Sequence, residues 1–342
     1  MAKQGCPEGV PGVRIDVVGG GSLGLLYGAK LAEAGAGVTI WTRSKEQAAS
    51  LTDQGALVRG LGGTSERVIR VQGEWIGHAD RAGISTENGA GLHWLVLAVK
   101  QTDVNERLLE LLDRLTAGSD GSRTPIVCLQ NGIGHLERIK SALPNNRLIA
   151  AVTTEGAKRL DARSVEHTGI GELWLGEWTG NGRKQDNAED IPLKKLISML
   201  HSAGFASFLS NDLENRIYNK LLINAVINPL TAIFDVENGE LLLHPSRERL
   251  MRALFEESEL ILVKSGMAKP EDGWQLILDV CKNTRRNISS MLSDIRAGRA
   301  TEIDAINGGI VMLAKKSGQQ APLNQAIVEF VKTLHPKPSM GE

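Results

Sequence analysis

Residues 13–24, VRIDVVGGGSLG, constrain this chain more than any other stretch. Val13–Gly19 is a short, β-branched, apolar run and reads as a buried strand. Residues 22–35 are rich in Leu and Ala and read as a helix, and 38–42 (VTIWT) as a second strand. A glycine turn therefore joins a strand to a helix at the start of a βαβ unit. Within it, Gly19, Gly21 and Gly24 form GxGxxG, a weak signal alone and an informative one in this setting. Gly19 permits the tight turn, Gly21 lets the backbone approach a pyrophosphate, and Gly24 lets helix and sheet pack closely. The helix N-terminus adds free N–H groups and the positive end of its dipole. The turn Gly19, Gly20, Gly21, Ser22, Leu23 and Gly24 is thus expected to hold a dinucleotide.

Strand patterns recur at 93–99, 125–129 and 147–153, separated by helical patterns near 103–116 and 134–142. That alternation implies an α/β, doubly wound and mainly parallel sheet with helices on both faces. Residues 164–178 read as a hairpin or β excursion, and 180–190 as a polar loop. From about residue 211 the patterns are almost all helical, at 212–233, 246–266, 273–297, 301–317 and 323–334. The expected organisation is a tail at 1–12, a dinucleotide-binding α/β domain at 13–210 and an all-α domain at 211–335.

The 39 basic and 40 acidic residues leave a net charge of −1, which argues against nucleic acid or an anionic membrane surface as partner. Cys6, Cys128 and Cys281 are far apart and lack CxxC spacing, so neither a disulfide framework nor a metal site is expected. The tail has no apolar run resembling a signal peptide. The most apolar stretch, 221–234, is interrupted by Asn224, Asn228 and Pro229. A cytoplasmic location follows, and a homodimer is compatible with it.

Ligands of open α/β sheets bind outside the carboxyl ends of the strands. Lys100 follows the strand at 93–99 and Asn131 the strand at 125–129. The second strand runs into Thr42-Arg43-Ser44-Lys45, without the acidic residue that usually accepts from a ribose 2′-hydroxyl. Arg43, assisted by Lys45, could instead pair with a 2′-phosphate, which favours NADP over NAD.

Residues 218–234, YNKLLINAVINPLTAIF, are apolar on nearly every side of a helix. Yet Lys220, Asn224 and Asn228 recur at i, i+4 and i+8, along one narrow face. A buried amide or ammonium without a partner costs about 1–3 kcal/mol or more. The stripe therefore calls for a polar ligand or wall. Further on, Gly298 breaks a helix, and Thr301 is expected to cap the next one, with Asp304 three residues on. Glu302 would then lie in its first turn and could pair with Lys220.

These segments together resemble the ketopantoate reductase (2-dehydropantoate 2-reductase) family along nearly the whole chain. The most specific are NKLLINAVINPLTAIF (219–234), NGEL (238–241), NISSMLSDIRAGRATEID (287–304) and QNGIG (130–134). The resemblance implies a Rossmann-type domain followed by an all-α domain, with NADPH as cofactor and a keto acid as substrate. It implies Lys220 as the catalytic proton donor, supported by Glu302. It implies substrate contacts from Asn131, Lys220, Asn224, Asn228, Asn238 and Ser290. The cofactor side would comprise the glycine turn, Arg43, Lys100, Asn131, Ala157 and Glu302. Reduction of another branched 2-keto acid is one alternative, and a non-catalytic NADP-binding sensor is a second.

Overall fold

The computed structural model describes residues 12–78, 92–180 and 190–334. The tail, with Cys6, and nearly all of the polar loop at 180–190 lie outside them. The chain divides into two compact units. One runs to Gln130 and resumes over His135–Leu213; the other joins Asn131–Gly134 to the residues from Glu214 onward.

In the first unit the strands β1 (Val13–Val18), β2 (Gly37–Thr42), β3 (Ala56–Arg59), β4 (Glu66–Ile69), β5 (Gln72–Trp75) and β6 (Leu92–Leu97) come first. They are followed by β7 (Ile126–Cys128), β8 (Leu148–Thr153), β9 (Gly156–Arg159), β10 (Ser164–Gly169), β11 (Glu172–Glu177) and β12 (Ala206–Leu209). Among the described residues, eight of them form one sheet in the order β12-β11-β8-β7-β6-β1-β2-β5. Only β11 against β8 is antiparallel in that sheet. β1 lies between β2 and β6, so the chain reverses direction across the sheet there, where such folds place their ligands.

The other strands form a second sheet, β4-β3-β10-β9. This corrects the expectation of a hairpin at 164–178. β10 pairs with β3 and β9 in the small sheet, whereas β11 pairs with β8 and β12 in the large one. Helix α1 (Ser22–Glu33) packs on β1 and β2 and also against the small sheet. Covered on two sides, it buries Leu25, Leu26, Tyr27, Ala29 and Leu31. Tyr27 stacks on Phe205 and its hydroxyl lies 2.9 Å from Thr153 Oγ1.

One charge is buried inside β1. Burial alone would raise the carboxyl pKa of Asp16. Hydrogen bonding from His93 (2.6 Å) and Trp41 (2.8 Å) and the charge of Arg14 (3.1 Å) outweigh that and hold it low. The remaining helices of this unit are α2 (Lys45–Gln54), α3 (Glu106–Thr116), α4 (His135–Ala142) and α5 (Ile191–Ser202).

The second unit is helical: α6 (Leu213–Phe234), α7 (Pro245–Lys264), α8 (Gly273–Asn283), α9 (Ser290–Arg296), α10 (Asn307–Lys316) and α11 (Pro322–Thr333). The helix expected over 273–297 is two helices, because 284–289 leaves the helical path and pairs its backbone with the turn at 238–239. α6 is long and apolar enough to span a membrane, but its side chains form the core of this unit, with Leu221, Leu222, Ala225, Val226 and Leu230 buried.

Candidate active site

The glycine turn stands at the point where the large sheet reverses. Gly19 has φ +120°, and a Cβ there would come within 2.9 Å of the backbone at Ala98 and Val99, just past β6. A Cβ at Gly24 would fall 1.8 Å from Gly19 O, so helix and turn could not approach as they do. Gly21 differs, because a Cβ there would meet nothing within 4 Å. The protein does not require a glycine at Gly21, whereas a ligand against the backbone would. Gly21 is also the N-cap of α1, and no side chain caps that end. α2, α3 and α5 in the same unit all carry side-chain caps, from Ser44, Asn105 and Asp190. A bare helix end beside an open glycine fits a pyrophosphate.

Around the turn, Gln47 Nε2 (2.8 Å) and Arg159 Nη1 (3.2 Å) donate to Gly20 O, and Arg159 N donates to Ser22 Oγ. Neither Gln47 nor Arg159 stands out in the sequence, because the small sheet that brings Arg159 there has weak strand patterns. Arg43 follows β2 and is exposed, with Nη1 3.1 Å from Asp103 Oδ1. Such an exposed pair is worth about 0–1 kcal/mol and could readily exchange its carboxylate for a phosphate. Lys45 is turned away onto the Trp75 ring, 4.2 Å from its centroid. Lys100, half-buried, occupies the position just before the short turn Gln101–Asp103. Gln101 lies 2.8 Å from His135 Nδ1, and burial pulls that imidazole down to about 4, so the ring is neutral. Ala157 is half-buried on β9.

The helical unit assembles a second group. Asn131 Nδ2 donates to Glu302 Oε2 at 3.1 Å. The segment 131–134 reaches the Glu302 turn through Ile133 N, which donates to Ala305 O. Two glycines allow that approach. Gly132 has φ +79°, and its Cβ would lie 2.5 Å from Ala305 O. A Cβ on Gly309 would lie 2.8 Å from Ile133 Cγ1. Glu302 does not sit in the first helical turn that the sequence predicts. α10 begins only at Asn307, with no side-chain cap, and 302–305 form turns closed on Glu302 O and Ile303 O. The carboxylate thus sits on a turn outside a helix.

Lys220, on α6, still has some exposed surface, but its ammonium is desolvated. Burial pulls its pKa down to about 8, and the Glu302 carboxylate opposes that shift. Asn224 is half-buried and Asn228 buried on the same helix. Asn238 is buried; its Nδ2 donates to Thr284 Oγ1 at 2.9 Å, and its Oδ1 has no hydrogen-bond partner. Ser290 is exposed at the start of α9. Its neighbour Ser289 is the residue that meets α6: Ser289 Oγ lies 2.7 Å from Thr231 Oγ1, which donates to Asn228 O.

The chain matches the family model described as ketopantoate reductase PanE/ApbA over residues 15–180, and its C-terminal counterpart over 212–335. It is 32% identical to the 2-dehydropantoate 2-reductase of Bacillus subtilis, covering 94% of this chain and 97% of that protein. The chain belongs to the ketopantoate reductase family. The Archaeoglobus fulgidus 2-dehydropantoate 2-reductase is 31% identical over 93% of this chain and 97% of its own. A crystal structure of the probable Bacillus subtilis enzyme matches with a TM-score of 0.75 at 31% identity, over 94% of this chain and 100% of that one. D-Mandelate dehydrogenase, solved with NADH and anilino(oxo)acetate, shares the fold with a TM-score of 0.77 at 23% identity, over 94% of this chain and 97% of that one.

Family membership makes the chain an oxidoreductase, and with the bare α1 terminus it assigns a nicotinamide cofactor. The glycines of the family turn are separable by experiment. Gly24→Ala is expected to destabilise the protein by about 1–3 kcal/mol or more, through overpacking against Gly19 O. Gly21→Ala is expected to leave thermal stability unchanged and to weaken cofactor binding at least about tenfold, or ~1.4 kcal/mol. Thermal denaturation and a cofactor fluorescence titration read the two. A Gly21→Ala protein with undiminished affinity would show that no phosphate lies against that backbone.

Proposed function

We propose that the protein reduces 2-dehydropantoate to pantoate with NADPH, a step of pantothenate synthesis, and that Lys220 donates the proton. The observation that carries this reading is the family match over residues 15–180 and 212–335, and it is joined by the Lys220 ammonium on α6, drawn down to about 8 by burial with the Glu302 carboxylate opposing. An amine in that range is largely protonated at neutral pH and still gives up its proton readily.

When bound, the reduced nicotinamide supplies a hydride to the C2 carbon of the ketone. The rest falls to side chains of this chain. Negative charge grows on the ketone oxygen, and Lys220 Nζ stabilises it electrostatically and transfers a proton to it. The product is the alcohol, and the neutral amine is reprotonated from solvent. Glu302 keeps the lysine charged before the step. It also accepts from Asn131 Nδ2, so it is held in one orientation. Asn224, Asn228, Asn238 and Ser290 are assigned to the hydroxyl and carboxylate of the substrate. Asn238 Oδ1 is a buried acceptor without a protein donor, suited to the substrate hydroxyl. The glycine turn, Lys100 and Ala157 are assigned to the cofactor, and Arg43 to its 2′-phosphate.

Lys220→Ala is expected to lose turnover by at least about a hundredfold, since general-acid catalysis typically contributes 10²–10⁴, while NADPH still binds. Near-normal turnover would remove Lys220 from the role.

The pH profile follows from the sign of the shift. Reduction needs the protonated lysine, so kcat/KM should be level below about 8 and fall above it. Glu302 raises the Lys220 pKa, so Glu302→Gln should move that fall to lower pH. A break that stays in place or moves upward in Glu302→Gln would contradict the pairing.

Arg43→Ala should reduce the preference for NADPH over NADH, mainly through the KM for NADPH. Assaying both cofactors with ketopantoate and with other branched 2-keto acids tests cofactor and substrate together. An unchanged cofactor preference would remove Arg43, and a better keto acid would replace ketopantoate.

A further inference from the structure

Pro229 lies inside α6, one residue beyond Asn228. A proline has no N–H, so the helical bond from residue 229 back to Ala225 O cannot form, and the ring crowds that same carbonyl. Ala225 is completely buried, so solvent cannot replace the missing donor. Asn307 does so instead: its Nδ2 donates to Ala225 O at 3.0 Å.

The amide is fixed from behind. Its second N–H donates to Asn324 Oδ1 at 2.9 Å. Asn324 Nδ2 in turn donates to Glu257 Oε1 (2.9 Å) and Ser258 Oγ (3.0 Å) on α7. Glu257 also accepts from the backbone N–H groups of Leu323 and Asn324 at the start of α11. Asn307 and Asn324 are both fully buried. With acceptors facing both N–H groups, the Asn307 amide can have only one orientation. Its Oδ1 is left without a partner, so the residue is held for its donors.

Asn307 is also the first residue of α10, five positions after Glu302 and two after Ala305, which anchors Ile133. One side chain therefore ties the gap that Pro229 leaves in the hydrogen bonding of α6 to the turn that carries Glu302 and receives Asn131. That gap, between Ala225 and Pro229, lies just past Lys220 and Asn224 and encloses Asn228.

We propose that Asn307 is a positioning residue: it supplies the donor that Pro229 removes from α6, and so fixes Asn228 relative to Lys220 and Glu302. This rests on the reading of that stripe as the keto acid site.

The test is a cycle of Asn307→Ala, Pro229→Ala and the double variant in the full-length enzyme. Asn307→Ala should raise the KM for ketopantoate about ten- to a hundredfold, the scale of small misplacements in an active site. NADPH affinity should be unchanged. Pro229→Ala restores a backbone N–H at position 229, so the double variant should recover most of that loss. Unchanged KM with only a lowered Tm in Asn307→Ala would overturn the proposal, as would a double variant no better than Asn307→Ala. If Asn307→Ala does not fold, the double variant should fold and keep the KM of Pro229→Ala; its failure to fold also counts against the proposal. Lys220→Ala separates the two claims. If it keeps turnover, the functional reading falls; if it is inactive while Asn307→Ala is normal, only the positioning role falls.

Discussion

The chemistry proposed for the helical unit depends on keeping an ammonium partly out of water without discharging it. Desolvation and the Glu302 carboxylate act on Lys220 in opposite directions, and desolvation wins by enough to bring the pKa to about 8. Either influence alone would serve less well. A buried lysine with no carboxylate would drift toward the neutral amine, and a solvated pair would hold its proton too tightly. The balance requires Glu302 to be fixed. Asn131 donates to it, Gly132 and Gly309 let the 131–134 segment sit against its turn, and Asn307 begins the helix that follows.

The first unit rests on a similar economy of contact. The close approach of Gly19 and Gly24 closes the turn so tightly that a methyl group at Gly24 would overlap Gly19 O. The end of α1 is left without a side-chain cap, and Gly21 is left open. An uncapped helix end is a local cost in the free protein, because its first N–H groups lack side-chain partners. A bound anion would satisfy them. The small sheet covers the opposite side of α1, which explains a helix more apolar all round than a one-sided crossover would require.

Five strands of the large sheet, β1, β2, β6, β7 and β8, and the apolar helix that carries Lys220, Asn224 and Asn228 were legible because each rests on local pattern. Val13–Val18 is a β-branched run into glycines, and Lys220, Asn224 and Asn228 stand out against an apolar helix. What was not legible depends on contacts between residues distant in sequence. β10 and β11 look like consecutive strands of a hairpin, yet they join different sheets through β3 and β8. Glu302 follows a threonine that resembles a helix cap, but the chain spends 302–305 in turns, where Ala305 O receives Ile133 N. Arg159 reaches Gly20 only because β9 lies beside α1. Asn307 and Asn324 are ordinary letters in sequence and acquire meaning only as partners of each other and of Ala225.

The stripe also explains why its other members are amides. Asn224 and Asn228, like Asn238 beyond the helix, can each donate and accept, so they can bind a hydroxyl, a ketone or a carboxylate. An aspartate at Asn224, one turn from Lys220 on the same helix, would add a negative charge near it and raise its pKa, holding the proton that the proposed reaction must release. It would also repel the carboxylate of a keto acid. A lysine or arginine would have the reverse effect on Lys220 and leave the amine neutral. With neutral partners around it, the charge state of Lys220 is set mainly by burial and by the one carboxylate whose turn Asn131 and Ile133 hold. In the proposed reaction, neutral, two-way hydrogen-bonding groups would recognise the substrate without disturbing the acid, which would account for asparagines on an otherwise apolar helix.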